Sequence, residues 1–160
     1  MTESDLAQTA ALWHAGWHDA HAAICPPALT GLRTLASFTD RLNRRIGNSH
    51  VAALGNEILG FFTLEEDELY QFYVAPAARG SGLASRLISD AEDALLAAGI
   101  TQPWLACTVG NDRAARFYEK AGWRRVRTES LPVETSDGPF TLDIWRYEKD
   151  LSAEGGVHPA

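Results

Sequence analysis

Cysteine is scarce in this sequence. Its 160 residues hold two, Cys25 and Cys107, too few for the disulfide framework of a small secreted domain. No apolar run approaches the roughly 20 residues that span a bilayer. The start, Met1-Thr2-Glu3-Ser4-Asp5, has none of the basic and then apolar order of a signal peptide. A cytoplasmic location with no membrane partner is the expectation. Basic residues are outnumbered: 14 Lys and Arg against 21 Asp and Glu, a formal charge of −7. That balance argues against nucleic acid, whose capture rests on cationic patches. It suits a cationic substrate, or serves solubility. Internal repeats and domain boundaries are also missing. The chain reads as a single domain over residues 1–151 with a flexible small-residue tail over 152–160.

What is present centres on Tyr73-Val74-Ala75-Pro76-Ala77-Ala78-Arg79-Gly80-Ser81-Gly82-Leu83-Ala84. Before it, Glu68-Leu69-Tyr70-Gln71-Phe72 is rich in strand-forming types, and Pro76 ends the strand. After it, Leu83, Leu87, Ile88, Ala91, Ala94, Leu95 and Ala98 recur at helical spacing, and Gly99 closes the helix. A helix N-terminus carries unpaired N–H groups and the positive end of the dipole. Gly80 and Gly82 let a ligand approach the backbone, and Arg79 adds a cation. The turn therefore suits a phosphate. A P-loop is excluded, because no Gly-Lys-Ser/Thr follows the glycines. The dinucleotide pattern Gly80-x-Gly82-x-x-Ser85 belongs in the first βα turn of a parallel sheet. Here about eighty residues precede it.

In chain order, a first helix is expected from Ser4 or Asp5 to His21, with Leu6, Trp13, Trp17, Ala20 and Ile24 as its apolar stripe. His14, His18 and His21 share a neighbouring face. Histidine spacing alone is weak grounds for a metal site, and a polar face lining an acceptor site is the simpler reading. Cys25-Pro26-Pro27 breaks the chain. A second helical region within residues 30–46 buries Leu32, Leu35, Phe38, Leu42 and Ile46, with Arg41, Arg44 and Arg45 solvated. The hairpin Val51–Leu54 and Glu57–Leu64 turns at Gly55-Asn56. Gln102–Thr108 reads as the next strand, with Cys107 as a core residue. Asn111 caps a helix that buries Ala114, Phe117 and Ala121. Trp123–Thr128 and Pro139–Glu148 read as a final antiparallel pair joined by a turn-rich linker through Glu134.

Two segments carry a family resemblance. Val74-x-Pro76-x-x-Arg79-Gly80-x-Gly82-Leu83-Ala84 resembles the acetyl-CoA-binding motif of the GCN5-related N-acetyltransferases. Asn111-Asp112-Arg113-Ala114-Ala115-Arg116-Phe117-Tyr118 and the residues to Trp123 are similar to a second motif of that family. Ala77 departs from the Gln or Arg often found there, although backbone N–H groups make the phosphate cradle. The resemblance implies an α/β fold: a mixed, mostly antiparallel sheet flanked by helices, with two central strands splayed into a V. It implies acetyl-CoA as co-substrate and no metal. It places cofactor contacts at Phe72, Tyr73, Val74, Arg79, Gly80, Ser81, Gly82, Leu83, Ala84, Asn111, Arg113, Ala114 and Phe117. Its strand before the first helix has almost no room here. The long connection from Ala22 to Thr30 becomes a candidate for acceptor specificity.

The resemblance further implies direct acetyl transfer to an amine. Glu68 matches the place of a general base in several members, a strand-edge carboxylate being the alternative. Gln71 is a second polar group on that strand, and Tyr118 is the expected acid. The partner is a small-molecule amine or a protein or peptide amine. The acceptor's identity, the acyl length and a homodimer all stay open. The alternative function is an acyl-CoA sensor of the same fold without transfer chemistry.

Overall fold

A computed structural model describes residues 1–153; most of the tail, residues 154–160, lies outside the described residues. Helices α1 (Leu6–His21), α2 (Pro27–Leu32) and α3 (Leu35–Asn43) come first. The hairpin β1 (Ser49–Leu54) and β2 (Glu57–Glu65) follows, then β3 (Glu68–Val74) and α4 (Leu83–Ala97). The chain continues through β4 (Trp104–Thr108), α5 (Asp112–Lys120), β5 (Arg124–Val133) and β6 (Phe140–Glu148). No strand precedes α1 among the described residues. None of their helices is long and apolar enough to cross a membrane.

The six strands form one sheet in the order β1-β2-β3-β4-β6-β5. All neighbours are antiparallel except β3 and β4. Those two run parallel and meet at a single bridge, Glu68 opposite Trp104, where the Trp104 N–H also donates to the Asp67 carbonyl at 3.1 Å. Beyond that point they part. A bulge contributes: Thr63 faces Gln71 while Leu64 faces Leu69, which leaves Tyr70 as an extra residue in β3. A bulge bends its strand and sharpens its twist. The expected V-shaped splay is therefore present.

Helices cover both faces because the strands alternate. Phe62, Leu69 and Leu105 pack with Leu87, Ile88 and Ala91 of α4. Phe61, one residue away, packs with Trp13, Phe38 and Leu42 of α1 and α3. Gly16 in α1 serves a close approach, since a Cβ there would lie 2.8 Å from Cδ1 of Tyr73.

Several expectations at the helices need correction. Ile24 and Leu35 are exposed, and their places in the buried stripes are taken by His21 and by Arg33 and Arg41. The 30–46 region is two helices. Thr34 caps α3 by accepting the Ser37 N–H at 3.1 Å, and Pro27 opens α2 at its first turn, where proline is tolerated. Neither Ser4 nor Asp5 caps α1 through its side chain. Asp5 instead accepts the Thr2 N–H at 2.9 Å. The final pair is antiparallel as expected, and β5 runs on to Val133.

One buried ion pair ties the C-terminal strand to α4. Lys149 donates to both oxygens of Glu92, at 3.2 and 3.1 Å, and to the Ala121 carbonyl at 2.8 Å. The Trp123 indole donates to Glu92 at 2.9 Å. Truncating Glu92 removes the carboxylate that faces the buried ammonium and the acceptor of the Trp123 indole. Glu92→Ala is expected to cost about 3–5 kcal/mol in denaturant unfolding. A loss under about 1 kcal/mol, the scale of exposed pairs, contradicts the buried pairing.

Candidate active site

The opening between β3 and β4 forms a cleft of about 980 Å³. Its two lips differ in chemistry. On one lip β3 presents Glu68, Tyr70, Gln71 and Phe72; on the other stand Cys107, Asn111 and Tyr118. Past the Glu68–Trp104 bridge, β3 has no strand partner on this side. Its N–H groups that point into the opening are thus available to an oxyanion.

The phosphate-type turn lies at one end of the cleft, where Arg79, Gly80 and Ala84 join the lining. Gly80 and Gly82 have φ of 76° and 84°, values that side chains with a Cβ rarely adopt. Nothing lies within 4 Å of the position a Cβ would take at either residue. The cradle is open space above the α4 N-terminus, bounded by the Leu83 N–H, which donates to Ser81 Oγ at 3.3 Å. Two cations flank it. Arg79 and Arg113 approach the same Asp19 carboxylate, at 3.5 and 3.6 Å. All three are exposed, so these pairs hold them weakly.

Asn111 caps α5 by accepting the Ala114 N–H at 3.3 Å, which leaves its amide N–H₂ for other partners. The helix carries Phe117 and Tyr118 to the β3 lip. The Phe117 ring stacks on Phe72 at 5.4 Å, and Tyr118 meets Phe72 edge-on at 6.4 Å. Tyr118 is half-buried, and burial, then Cys107 and Tyr73 nearby, push its pKa well above the ordinary phenol value. Its proton stays on at neutral pH. Cys107 is buried, and the loss of solvent pushes its thiol to about 12, so it is no nucleophile.

Glu68 is half-buried at the start of β3. Burial first, then Glu65 and Asp67, raise its pKa to about 7; Arg146 and Arg45 oppose them. A carboxyl so placed exchanges a proton near neutral pH.

The histidine face does other work. His18 Nε2 donates to the Arg33 carbonyl at 2.7 Å, and His21 Nδ1 donates to the Trp17 carbonyl at 2.9 Å. Burial lowers the His21 pKa to about 4. No cluster of three metal-ligating side chains occurs among the described residues. Of the three histidines only His21 reaches the cleft, and the lining passes over residues 22–30 to take in Arg33.

The expected solvated arginines are the largest correction. Arg41 is 5% exposed and its guanidinium lies 4.5 Å over the Trp13 ring. Arg45 is half-buried over Tyr70 at 4.5 Å. Only Arg44 is exposed. Arg41 follows Phe38 at the third position, on the helical face that packs inward, and Arg45 lies just beyond the end of α3. Glu134, read as part of a turn, reaches back to pair with Arg44 and, at 2.8 Å, with Arg45.

Residues 13–123 match the model of the acetyltransferase (GNAT) family. No curated protein sequence matches significantly. Among solved structures, a GCN5-related N-acetyltransferase from Rhodopseudomonas palustris is 22% identical with a TM-score of 0.74, over 94% of this chain and 92% of that one. The PaiA N-acetyltransferase of Thermoplasma acidophilum, in complex with coenzyme A, is 16% identical with a TM-score of 0.66, over 94% and 95%. YncA of Salmonella typhimurium, with its cofactor acetyl-CoA, is 16% identical with a TM-score of 0.69, over 100% and 94%. At these identities the likeness is one of fold.

The environment of Glu68 has a consequence for stability. An unfolded chain ionises this carboxyl from about pH 4.3, whereas the native state keeps it protonated to about 7. The native state therefore binds the extra proton in that window, and its stability falls as pH rises through it. Above the window the folded chain carries a charge that burial disfavours. Glu68→Gln should raise Tm more at pH 8 than at pH 5. Equal shifts at both pH values contradict the raised pKa.

Proposed function

The chain belongs to the acetyltransferase (GNAT) family, and on that premise we propose that it transfers acetyl from acetyl-CoA directly to an amine. The carrying observation is the parting of β3 and β4, with a proton acceptor, Glu68, on one lip and a proton donor, Tyr118, on the other. The relatives crystallised with coenzyme A and with acetyl-CoA support the choice of donor, as does the open cradle at Gly80 and Gly82. In this reading residues 1–151 are one acetyltransferase domain, with two free cysteines that suit a reducing compartment such as the cytoplasm.

Acetyl-CoA supplies a thioester, an acetyl group already activated for attack. The chain's residues then divide the work. Arg79, Gly80, Ser81, Gly82, Leu83 and Ala84 receive the pyrophosphate at the α4 N-terminus, with Arg113 beside it. Asn111, Ala114 and Phe117 line the path of the pantetheine arm opposite Phe72, Tyr73 and Val74. The free N–H groups of β3 face the carbonyl oxygen as it gains charge. An alkyl amine of pKa ~10 is mostly protonated at neutral pH. Glu68, directly or through a water held with Gln71, takes the amine's proton, freeing its lone pair to form the C–N bond as the C–S bond breaks. Tyr118 Oη keeps a proton available where the sulfur leaves, and solvent restores it.

The test is acetyl-CoA turnover against amine libraries with mass spectrometry of the products. Binding without turnover for any amine overturns the reading and favours a non-catalytic acyl-CoA sensor. The two proton carriers separate by pH. Glu68→Gln should slow the reaction most near pH 7, with the deficit shrinking as pH nears the amine's pKa. Tyr118→Phe should lower kcat by roughly ten- to a thousandfold at every pH, with folding and acetyl-CoA affinity nearly intact. Normal turnover by Tyr118→Phe makes that residue a core aromatic.

The cradle has its own test. Gly82→Val forces a β-branched residue into a left-handed conformation at the α4 N-terminus, which reorients the N–H groups there. Calorimetry should find CoA and desulfo-CoA weakened alike, because the lost contacts are to phosphate. Unchanged affinity in a folded variant ends the cradle argument.

A further inference from the structure

Four guanidiniums of the segment 33–45 converge on Glu134, three on its carboxylate and one on its main-chain carbonyl. Arg44 pairs with Oε1 of Glu134, and Arg45 with Oε2 at 2.8 Å. Arg41 is left with its Nε 4.0 Å from Oε2. Its Nη2 donates to the Tyr70 hydroxyl at 2.6 Å. Arg33 reaches only the main chain, donating from Nη1 to the Glu134 carbonyl at 2.5 Å. Arg33 and Arg41 are 4% and 5% exposed, and both line the cleft that Glu68 and Tyr118 line. The Nε of each is buried without a hydrogen-bond partner among the described residues. A third such nitrogen belongs to Trp13, the ring on which Arg41 rests.

A guanidinium withdrawn from water is costly unless an anion sits close against it; Glu134 stays 4.0 Å from Arg41 and offers Arg33 only its main-chain carbonyl. Burial and the neighbouring Arg41 already lower the Arg33 pKa to about 10. An anion entering the cleft relieves both charges, and two planar forks suit a carboxylate's two oxygens. Glu68 lines the same cleft, and Glu65 pairs with Arg45 at 3.4 Å. Tyr70 stands two residues beyond Glu68, so the basic and acidic regions neighbour one another along β3.

We propose that the acceptor amine also carries a carboxylate, and that Arg33 and Arg41 bind it while the amine meets Glu68. The acceptor class is then an amino acid or another small amino-carboxylate, in place of a polyamine. This inference rests on the reading of the chain as an acetyltransferase acting on amines.

Matched acceptors test it. Turnover of acetyl-CoA by the wild-type chain is measured with α- and ω-amino acids, and with the carboxamide of each. At least one amino acid should exceed its carboxamide in kcat/KM by about tenfold or more, the scale of a charge-assisted hydrogen bond. Arg33→Gln and Arg41→Gln should each shrink that ratio by a similar factor, mainly through KM. Turnover of amines with no preference for the acid overturns the carboxylate site and leaves transfer to amines standing. No turnover with any amine overturns the transfer reading instead. Calorimetry of the same acids and carboxamides against the CoA-saturated wild-type chain then decides the arginine site. Selective binding of acids supports it; equal binding, or none, overturns it. The wild-type arms decide even where Arg41→Gln, which loses its packing on Trp13, fails to fold.

Discussion

Two parallel strands that touch once and then separate set the terms for the rest of this structure. Parallel pairing normally continues as a ladder of evenly spaced bonds. Here it stops at Glu68 and Trp104, and the unpaired β3 edge would be a liability if exposed. The Tyr70 bulge turns the strand away, and helices α1 and α5 bring side chains to the gap. Its interior is neither sealed nor filled, because the two cores lie on opposite faces of the sheet and close around it. The cleft, the free N–H groups and the meeting of Phe72 with Phe117 and Tyr118 all follow from that one interrupted ladder.

Periodicity and turn chemistry made most of the fold legible. The α4 stripe ending at Gly99, the Gly55-Asn56 hairpin and the Asn111 cap each depend on contacts a few residues apart, and such contacts are written locally. The two motifs, at residues 74–84 and 111–123, carried the family. What stayed hidden depended on long-range contact. Arg41 looks solvated when charge alone is read, although its spacing from Phe38 places it on the inward face. Nothing near Glu134 in the sequence announces that it pairs with arginines some ninety positions earlier. The Glu92–Lys149 pair was unreadable for the same reason, its partners lying 57 residues apart.

Global charge also proved a poor guide to local field. A chain of formal charge −7 invites a cationic ligand, yet its cleft draws in Arg33, Arg41 and Arg45. Net charge governs solubility and encounter over distances set by screening. Recognition is decided within a few ångströms, where a buried guanidinium loses little to salt. The acidic surface and the basic cleft region are thus compatible, because they act at different ranges.

A single physical effect acts on both proton carriers of the proposed reaction. Burial disfavours charge on any acid, so it lifts the Glu68 carboxyl and the Tyr118 phenol together. For the carboxyl the lift ends near 7, where the group is free to accept a proton yet basic enough to use it. For the phenol the lift goes upward from about 10, which removes any phenolate at neutral pH and keeps the hydroxyl a donor. In the proposed reaction the same partly closed cleft thus suits the carboxyl to receive a proton and the phenol to give one. Opening it to water would lower both values, making Glu68 a weaker base. Both values are held by the depth of the cleft more than by any one neighbour, so the packing of Phe72, Phe117 and Trp104 around the strand gap bears on them without touching a proton.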